Sequence, residues 1–130
     1  MDAQTLESIP LFAGLSKKER EQVARWADVV DVPAGHHLLE QGRFAHEFFV
    51  LLQGTVEVTK DGAHLADLGP GDFFGEIALV EHERRTATVI AKTPLSAVVM
   101  HARDFEAMRA ELPHVAERIH DAIRERLARG

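Results

Sequence analysis

Between residues 28 and 101 the apolar residues come in short runs that glycine and proline repeatedly interrupt. Such runs are too short for most globular helices but suit strands, and several of them alternate apolar with polar residues. Seven or eight short strands in so small a chain predict a mainly β protein, built as a sandwich or a barrel. The predicted strands are 29–32, 37–40, 47–52, 55–60, 63–68, 86–91 and 95–101.

The pair Asp61-Gly62 is the strongest hairpin signal in the chain. A two-residue hairpin turn of this kind needs positive φ, which aspartate tolerates and glycine adopts freely. In residues 55–59 threonine and glutamate alternate with valine, so one face of the hairpin should be in water. Further turns are predicted at Gly42, Gly54 and residues 69–72.

Helical patterns flank the β part on both sides. Ser16 and Glu19 form a capping box, and the amphipathic helix that they start is expected to end at about Ala27. After the strands, residues 104–111 make a short helix, and Pro113 fits the first turn of a last one. The chain therefore reads as one domain, with a helical part at about 5–27, a β part at 28–102 and helices at 103–130.

The last helix carries an apolar stripe in which Val115, Ile119, Ile123 and Leu127 recur every four residues. Such a stripe needs a partner. We expect it to dock on the β part of the same chain. Lining a ligand pocket and forming a dimer seam are the alternatives.

Composition narrows the class of protein. The formal charge of −6 argues against direct nucleic-acid binding, which needs clustered Lys and Arg. There is no cysteine for a disulfide, a thiolate metal site or a nucleophile. The apolar runs fall far short of the roughly 20 residues that cross a bilayer, and residues 1–10 do not resemble a signal peptide. We therefore expect a cytoplasmic protein without membrane contact.

Residues 74–89 contain the strongest candidate for a ligand site. Gly75 leaves room for a close approach of the backbone, and the amides of Ile77 and Ala78 are expected to open a short helical turn. Exposed amides at a helix start attract phosphate. Arg85 adds a planar guanidinium that bonds two phosphate oxygens at once. Together these groups predict a pocket for a small phosphate.

Glu76 fits this pocket only if it faces away from the phosphate. A carboxylate accepts hydrogen bonds and donates none, so Glu76 suits a ribose 2′-hydroxyl, while Thr86 offers a hydroxyl beside the phosphate or the base. The alternative is an ordinary ion pair between Glu76 and Arg85, with residues 81–84 as a solvated loop. The residues by themselves leave both interpretations open.

Residues 74–89 read FGEIALVEHERRTATV and resemble the phosphate-binding cassette of cyclic nucleotide-binding domains. These domains occur in cAMP-dependent kinase regulatory subunits, catabolite activator-type transcription factors and cyclic nucleotide-gated channels. Glu76 and Arg85 match the family's anchors with its spacing, whereas Arg43 and Arg84 depart from its pattern without removing an anchor. The resemblance covers nearly the whole chain, through motifs at 9–16, 33–35, 41–42, 52–58 and 70–72.

The resemblance implies a double-stranded β-helix, a jelly-roll-like β-roll, that binds a cyclic 3′,5′-nucleotide. Glu76 would then accept from the ribose 2′-hydroxyl and Arg85 would clamp the cyclic phosphate. We expect cAMP as the ligand, with cGMP as the alternative because Thr86 resembles the threonine of cGMP-selective sites. The implied contact residues are Phe74, Gly75, Glu76, Ile77, Ala78, Arg85, Thr86 and Ala87.

No other chemistry has comparable support, so we do not expect an enzyme. A cupin-type metalloenzyme would share the barrel pattern, but the histidines follow no ligand motif, and adjacent His36 and His37 on a strand would point to opposite faces. No metal site is predicted. A β-roll that has lost its ligand and serves only as an interaction module is the alternative of another class. The sensor would need an effector, either another chain or a further part of a longer protein.

Overall fold

A computed structural model describes residues 1–43, 46–75 and 87–129, with side chains up to residue 125. Within these ranges eight strands form two four-stranded antiparallel sheets, with strand order β1-β8-β3-β6 in the first sheet and β2-β7-β4-β5 in the second. The predicted mainly β fold with flanking helices is confirmed. The strands are β1 Asp28–Val32, β2 His37–Leu39, β3 Glu47–Gln53, β4 Val56–Lys60, β5 Ala63–Leu68, β6 Phe73–Phe74, β7 Thr88–Ala91 and β8 Leu95–His101.

Most strand predictions are confirmed to within one or two residues. The β4–β5 hairpin turns at Asp61 and Gly62, with φ of 53° and 80°, as the positive-φ turn requires. The short strand Phe73–Phe74 was not predicted, because two residues carry no alternation and this strand exists only by pairing with β3. Strand β7 begins at Thr88, and the predicted start at Thr86 lies outside the described residues.

The first sheet is apolar on both faces. On β3, Phe48 and Val50 face the helices, while Phe49 and Leu51 face the second sheet, and all four are at most 5% exposed. A strand with one face in water would alternate with polar residues, so this continuous apolar run marks a middle layer. Strand β8 shows the same division between Val98 and Met100 on the helix side and Ala97 and Val99 on the inner side.

The N-terminal part contains α1 Ala3–Glu7, a 3-10 turn Pro10–Phe12 and α2 Lys17–Val23. The capping box that starts α2 is confirmed: the Glu19 N–H donates to Ser16 Oγ at 3.1 Å, and the Ser16 N–H donates to Glu19 Oε1 at 2.8 Å. The predicted end at Ala27 was wrong. The helix stops at Val23, where bonds between residues three apart, such as Trp26 N–H to the Val23 carbonyl, tighten the chain before β1.

Two helices follow β8, α3 Ala102–Glu111 and α4 Pro113–Arg129. Helix α3 starts two residues before the predicted position 104. The break between the helices lies at Leu112, whose φ of −132° and ψ of 63° are not helical. A proline disfavours helical backbone in the residue before it, and Pro113 begins α4 as predicted. In the part of the chain that the structure describes, no helix is both long and apolar enough to span a membrane.

The apolar stripe of α4 docks on its own chain, as predicted. Val115, Ile119 and Ile123 are at most 1% exposed and pack among the N-terminal helices, α3 and the outer face of the first sheet. These three side chains are therefore not available to a dimer seam. Leu127, the fourth member of the stripe, lies beyond the described side chains.

Glu19 connects α2 to α4. Arg118 Nη1 lies 3.2 Å from Glu19 Oε1, and His114 Nε2 lies 3.7 Å from Oε2. The carboxyl is only 13% exposed. The hydrogen bond from the Ser16 backbone N–H lowers the pKa of Glu19 below its ordinary value, partial burial opposes this, and the Ser16 hydroxyl and the charges of Arg118 and His114 lower it further.

We predict that Glu19→Gln destabilises the protein at pH 7 and does so less in acid. A carboxyl with a depressed pKa stabilises the fold fully above its ordinary value of 4.5, and this contribution is lost as pH falls through the lower folded pKa. The free energy of unfolding in urea, measured at pH 7 and pH 3 for both proteins, tests this. Glu21→Gln, a change at an exposed position of the same helix, is the control, and its loss at pH 7 should be smaller; equal pH profiles for both variants would contradict the prediction.

Candidate functional site

The candidate segment starts at a firmly packed position. Phe74 is 4% exposed and pairs with Phe49 across β6 and β3, where the two rings stack with centroids 5.1 Å apart. The preceding residue of the same strand, Phe73, pairs with Val50. Because Phe74 belongs to the core between the sheets, the chain leaves the first sheet at a fixed point.

Gly75 follows directly, with a φ of +80°. A Cβ atom at this position would collide with the backbone carbonyl oxygen of Glu47 on β3. The sequence suggested that this glycine makes room for a ligand. The structure supplies a reason within the chain itself, since only glycine permits both this conformation and this approach of two backbone segments.

The other end of the candidate segment enters the second sheet. Ala87 is half-buried at a bend, and Thr88 begins β7, which lies between β2 and β4. Val89 and Ala91 on this strand are each 2% exposed and belong to the core between the sheets. Residues 76–86 therefore connect the edge strand of one sheet to an inner strand of the other.

Gln41, in the loop between β2 and β3, supports the start of β7. The sequence did not predict this contact. The Gln41 N–H donates to Thr88 Oγ1 at 3.1 Å. The Gln41 side chain makes two bonds to Asp61, donating from Nε2 to Oδ1 at 2.8 Å and accepting the Asp61 N–H on Oε1 at 2.9 Å. The Gln41-Gly42 motif was a signal, but no local rule predicts a partner twenty positions away.

The remaining site predictions lie outside the described residues. These are Glu76, Ile77, Ala78, Arg85 and Thr86, together with the loop at 81–84. The roles of all eight predicted contact residues stay predictions, including those of Phe74, Gly75 and Ala87, which the structure places at the two ends of the segment.

The core between the sheets has an apolar margin that is partly exposed. Four side chains that are only partly buried pack against the inner core on the two sheets. Partly exposed apolar surface inside a roll suits the sugar or base of a ligand better than a charged group. The four residues are Val30, Val32, Val58 and Leu68.

Two sheets packed face to face, with helices on the outer face of one, define a β-roll. The family model described as cyclic nucleotide-binding domain matches residues 29–111, from β1 to the end of α3. The chain belongs to the cyclic nucleotide-binding domain family. The resemblance to this family, which the sequence motifs indicated, is thereby confirmed.

Individual relatives agree with this membership. The chain is 33% identical over 123 residues to a cyclic nucleotide-gated potassium channel of Rhizobium etli, covering 95% of this chain and 34% of the channel. It is 37% identical over 91 residues to a cAMP-dependent protein kinase regulatory subunit of Schizosaccharomyces pombe, covering 69% of this chain and 22% of the subunit. The chain thus spans about a third or less of these relatives.

Solved structures share the fold. The N-terminal domain of a transcriptional regulator from Streptomyces coelicolor A3(2) superposes with a TM-score of 0.80 at 27% identity, covering 96% of this chain and 93% of that one. A cyclic nucleotide-binding domain from Methylobacillus flagellatus gives a TM-score of 0.83 at 21% identity, covering 97% and 74%. The predicted β-roll is confirmed.

We predict that Gly75→Ala destabilises the protein more than Gly62→Ala. Both glycines have a φ of +80°, but a Cβ at Gly62 meets open space, whereas one at Gly75 meets a backbone carbonyl. The shared conformational cost is about 1–2 kcal/mol, and the collision adds to it. The free energies of unfolding of the two variants, measured in urea, test this. Equal losses would show that Gly75 is not crowded by β3.

Proposed function

We propose that this chain is a non-catalytic, cytoplasmic sensor domain that binds a cyclic 3′,5′-nucleotide, cAMP in the first place, and passes the signal to an effector. The observation that supports the proposal best is that the family match includes the whole candidate segment. This segment contains both predicted anchors, the Glu76 carboxylate and the Arg85 guanidinium. A β-roll that had lost its ligand would have no need to keep the two.

Arg85 and Glu76 bind different parts of the ligand. Arg85 carries a charge and a planar fork for the cyclic phosphate, and the amides of Ile77 and Ala78 add neutral donors. Glu76 accepts from the ribose 2′-hydroxyl, so it discriminates ribose from deoxyribose. Thr86 lies next to the clamp in sequence and adds a hydroxyl to the phosphate or the base.

Packing and hydrogen bonds hold the residues at both ends of the candidate segment. Phe74 is locked in the core by Phe49, and Thr88 is held by the loop that Gln41 ties to the β4–β5 hairpin. A site whose ends are fixed before the ligand arrives loses less conformational entropy on binding. The partly exposed valines and leucine between the sheets are the apolar surface for the sugar and base.

The choice of cAMP rests on relatives in sequence. The relative from Schizosaccharomyces pombe, 37% identical, is the regulatory subunit of a kinase that is named cAMP-dependent. Thr86 keeps cGMP as the second candidate, because a hydroxyl at this place also suits the guanine edge. Titration with both nucleotides separates the two.

A relay runs through the C-terminal helices. Helix α4 packs on the outer face of the first sheet and is tied to α2 through Glu19 and Arg118, so a shift of either end of the ion pair breaks it. The non-helical Leu112 before Pro113 is the hinge about which α4 turns. A ligand shifts such an equilibrium only by its differential affinity for the two arrangements.

Packing reduces the number of helix residues that are candidates to cap the base. By their place in the last helix, Ile119, His120, Ile123 and Arg124 are the candidates. Ile119 and Ile123 are committed to the helix core in this arrangement, so His120, half-buried, and Arg124, exposed, are the candidates that remain. The effector is either another chain or a further part of a longer protein, since the match covers only 34% of the channel and 22% of the kinase subunit.

We predict that Arg85→Ala weakens cAMP binding by about 10- to 150-fold, since a charge-assisted hydrogen bond contributes roughly 1.5–3 kcal/mol. Isothermal titration calorimetry with cAMP, cGMP and 5′-AMP measures this. Arg84→Ala removes the neighbouring charge and is the matched control, which should bind nearly as the parent does. Equal affinity of Arg85→Ala and the parent would reject the clamp, and absence of cyclic nucleotide binding by the parent would favour the ligand-free module.

We predict that saturating cAMP changes amide hydrogen exchange in residues 104–129. Movement about Leu112 alters the protection of α3 and α4, whereas the central strands β3 and β8 should exchange as before. Exchange followed by mass spectrometry tests this. Pro113→Ala removes the helix break, so this variant should bind cAMP and show a smaller change in α4. Unchanged exchange in residues 104–129 of the parent would contradict the relay.

A further inference from the structure

The outer face of the β4–β5 hairpin gathers three potential metal ligands. The register places Glu57 directly opposite Asp67 and pairs Thr59 with His64. Between these pairs the register shifts at Leu65, a bulge residue that is 62% exposed. Bulges redirect side chains near functional sites. Here His64 is brought beside two carboxylates that would otherwise repel each other across the strands.

The three side chains lie close together. His64 Nδ1 lies 2.7 Å from Glu57 Oε2, and the other ring nitrogen, Nε2, lies 3.9 Å from Asp67 Oδ2. Because one ion binds only one ring nitrogen of a histidine, the spacing of one ligand atom per residue decides whether the three can share an ion. One ligand atom from each residue lies within 4.8 Å of the other two, and within the described residues this is the one cluster of its kind. Ligands of a tetrahedral zinc ion are about 3.4 Å apart, given bonds of about 2.0–2.2 Å. The side chains must therefore rotate to shorten separations of up to 4.8 Å to this spacing.

We propose that Glu57, His64 and Asp67 form a binding site for a divalent transition metal, with zinc as the ion that suits the set best. One imidazole and two carboxylates are ligands of types that zinc accepts, and three protein ligands leave a fourth position for water. The side chains are 35%, 51% and 50% exposed, so the ion exchanges with solvent. The site fastens β4 to β5 and shares no residue with the proposed nucleotide segment.

Lys92 makes the proposal more specific. Its Nζ lies 3.3 Å from Asp67 Oδ1, whereas His64 contacts the other carboxylate oxygen, Oδ2. The ammonium and the metal ion therefore compete for the charge of Asp67. Removal of this ammonium should strengthen metal binding, whereas removal of a ligand should weaken it.

Calorimetric titration of the metal-free full chain with zinc chloride, without nucleotide, tests the site. We expect one zinc per chain, with the affinity reduced about tenfold or more by His64→Ala and by Glu57→Gln, since even supporting residues of metal sites contribute 10- to 100-fold. His37→Ala is the matched control, because His37 Nδ1 lies 3.6 Å from Glu40 at similar exposure but is not part of the cluster. This variant should bind as the parent does.

Two further variants separate the outcomes. Lys92→Met should tighten zinc binding by about three- to tenfold, the effect of one nearby charge on a divalent ion close to water. Arg85→Ala should leave zinc affinity unchanged, so failure of the nucleotide proposal does not affect this one. No zinc binding at millimolar concentration, or equal loss in His64→Ala and His37→Ala, would overturn the site. Zinc-induced shifts of the His64 imidazole signals in NMR spectra, without comparable shifts of His37, would support it.

Discussion

Strands β3 and β8 form a wall that is apolar on both sides, and the rest of the structure depends on it. Phe48 on one side belongs to the helix layer, and Phe49 on the other belongs to the interior of the roll. A two-sided wall of close-packed side chains transmits displacement, because neither layer can shift without new packing against it. The helices outside the roll are therefore packed on the same strands that line its interior.

The candidate nucleotide segment lies where the two sheets are connected. It leaves the first sheet at Phe74, next to the wall, and enters the second at Thr88, next to the loop that Gln41 holds. The proposed binding at residues 76–86 would therefore act on both sheets at once. The wall would carry the effect to α4, whose docking residues lie on its far face, and the ion pair of Glu19 with Arg118 is a further contact between α2 and α4.

Local rules predicted much of the fold, and contacts between distant residues account for what they missed. The turn at Asp61 and Gly62 follows from backbone geometry, and the docked stripe of α4 follows from helical spacing. Strand Phe73–Phe74 exists only through its partner, and the support from Gln41 depends on a residue of another hairpin. The zinc ligands follow no sequence motif, because the bulge at Leu65 brings them together. For the nucleotide site the family resemblance predicted the contact residues, while the structure shows how the segment that contains them is anchored.

A crystal structure of the chain grown with cAMP would show directly whether Arg85 and Glu76 hold the nucleotide. We predict that the cyclic phosphate contacts the Arg85 guanidinium, that the ribose 2′-hydroxyl donates to Glu76, and that the sugar and base lie against the apolar residues between the sheets. Nucleotide bound elsewhere, or bound between the sheets with Arg85 and Glu76 paired only to each other, would contradict this prediction.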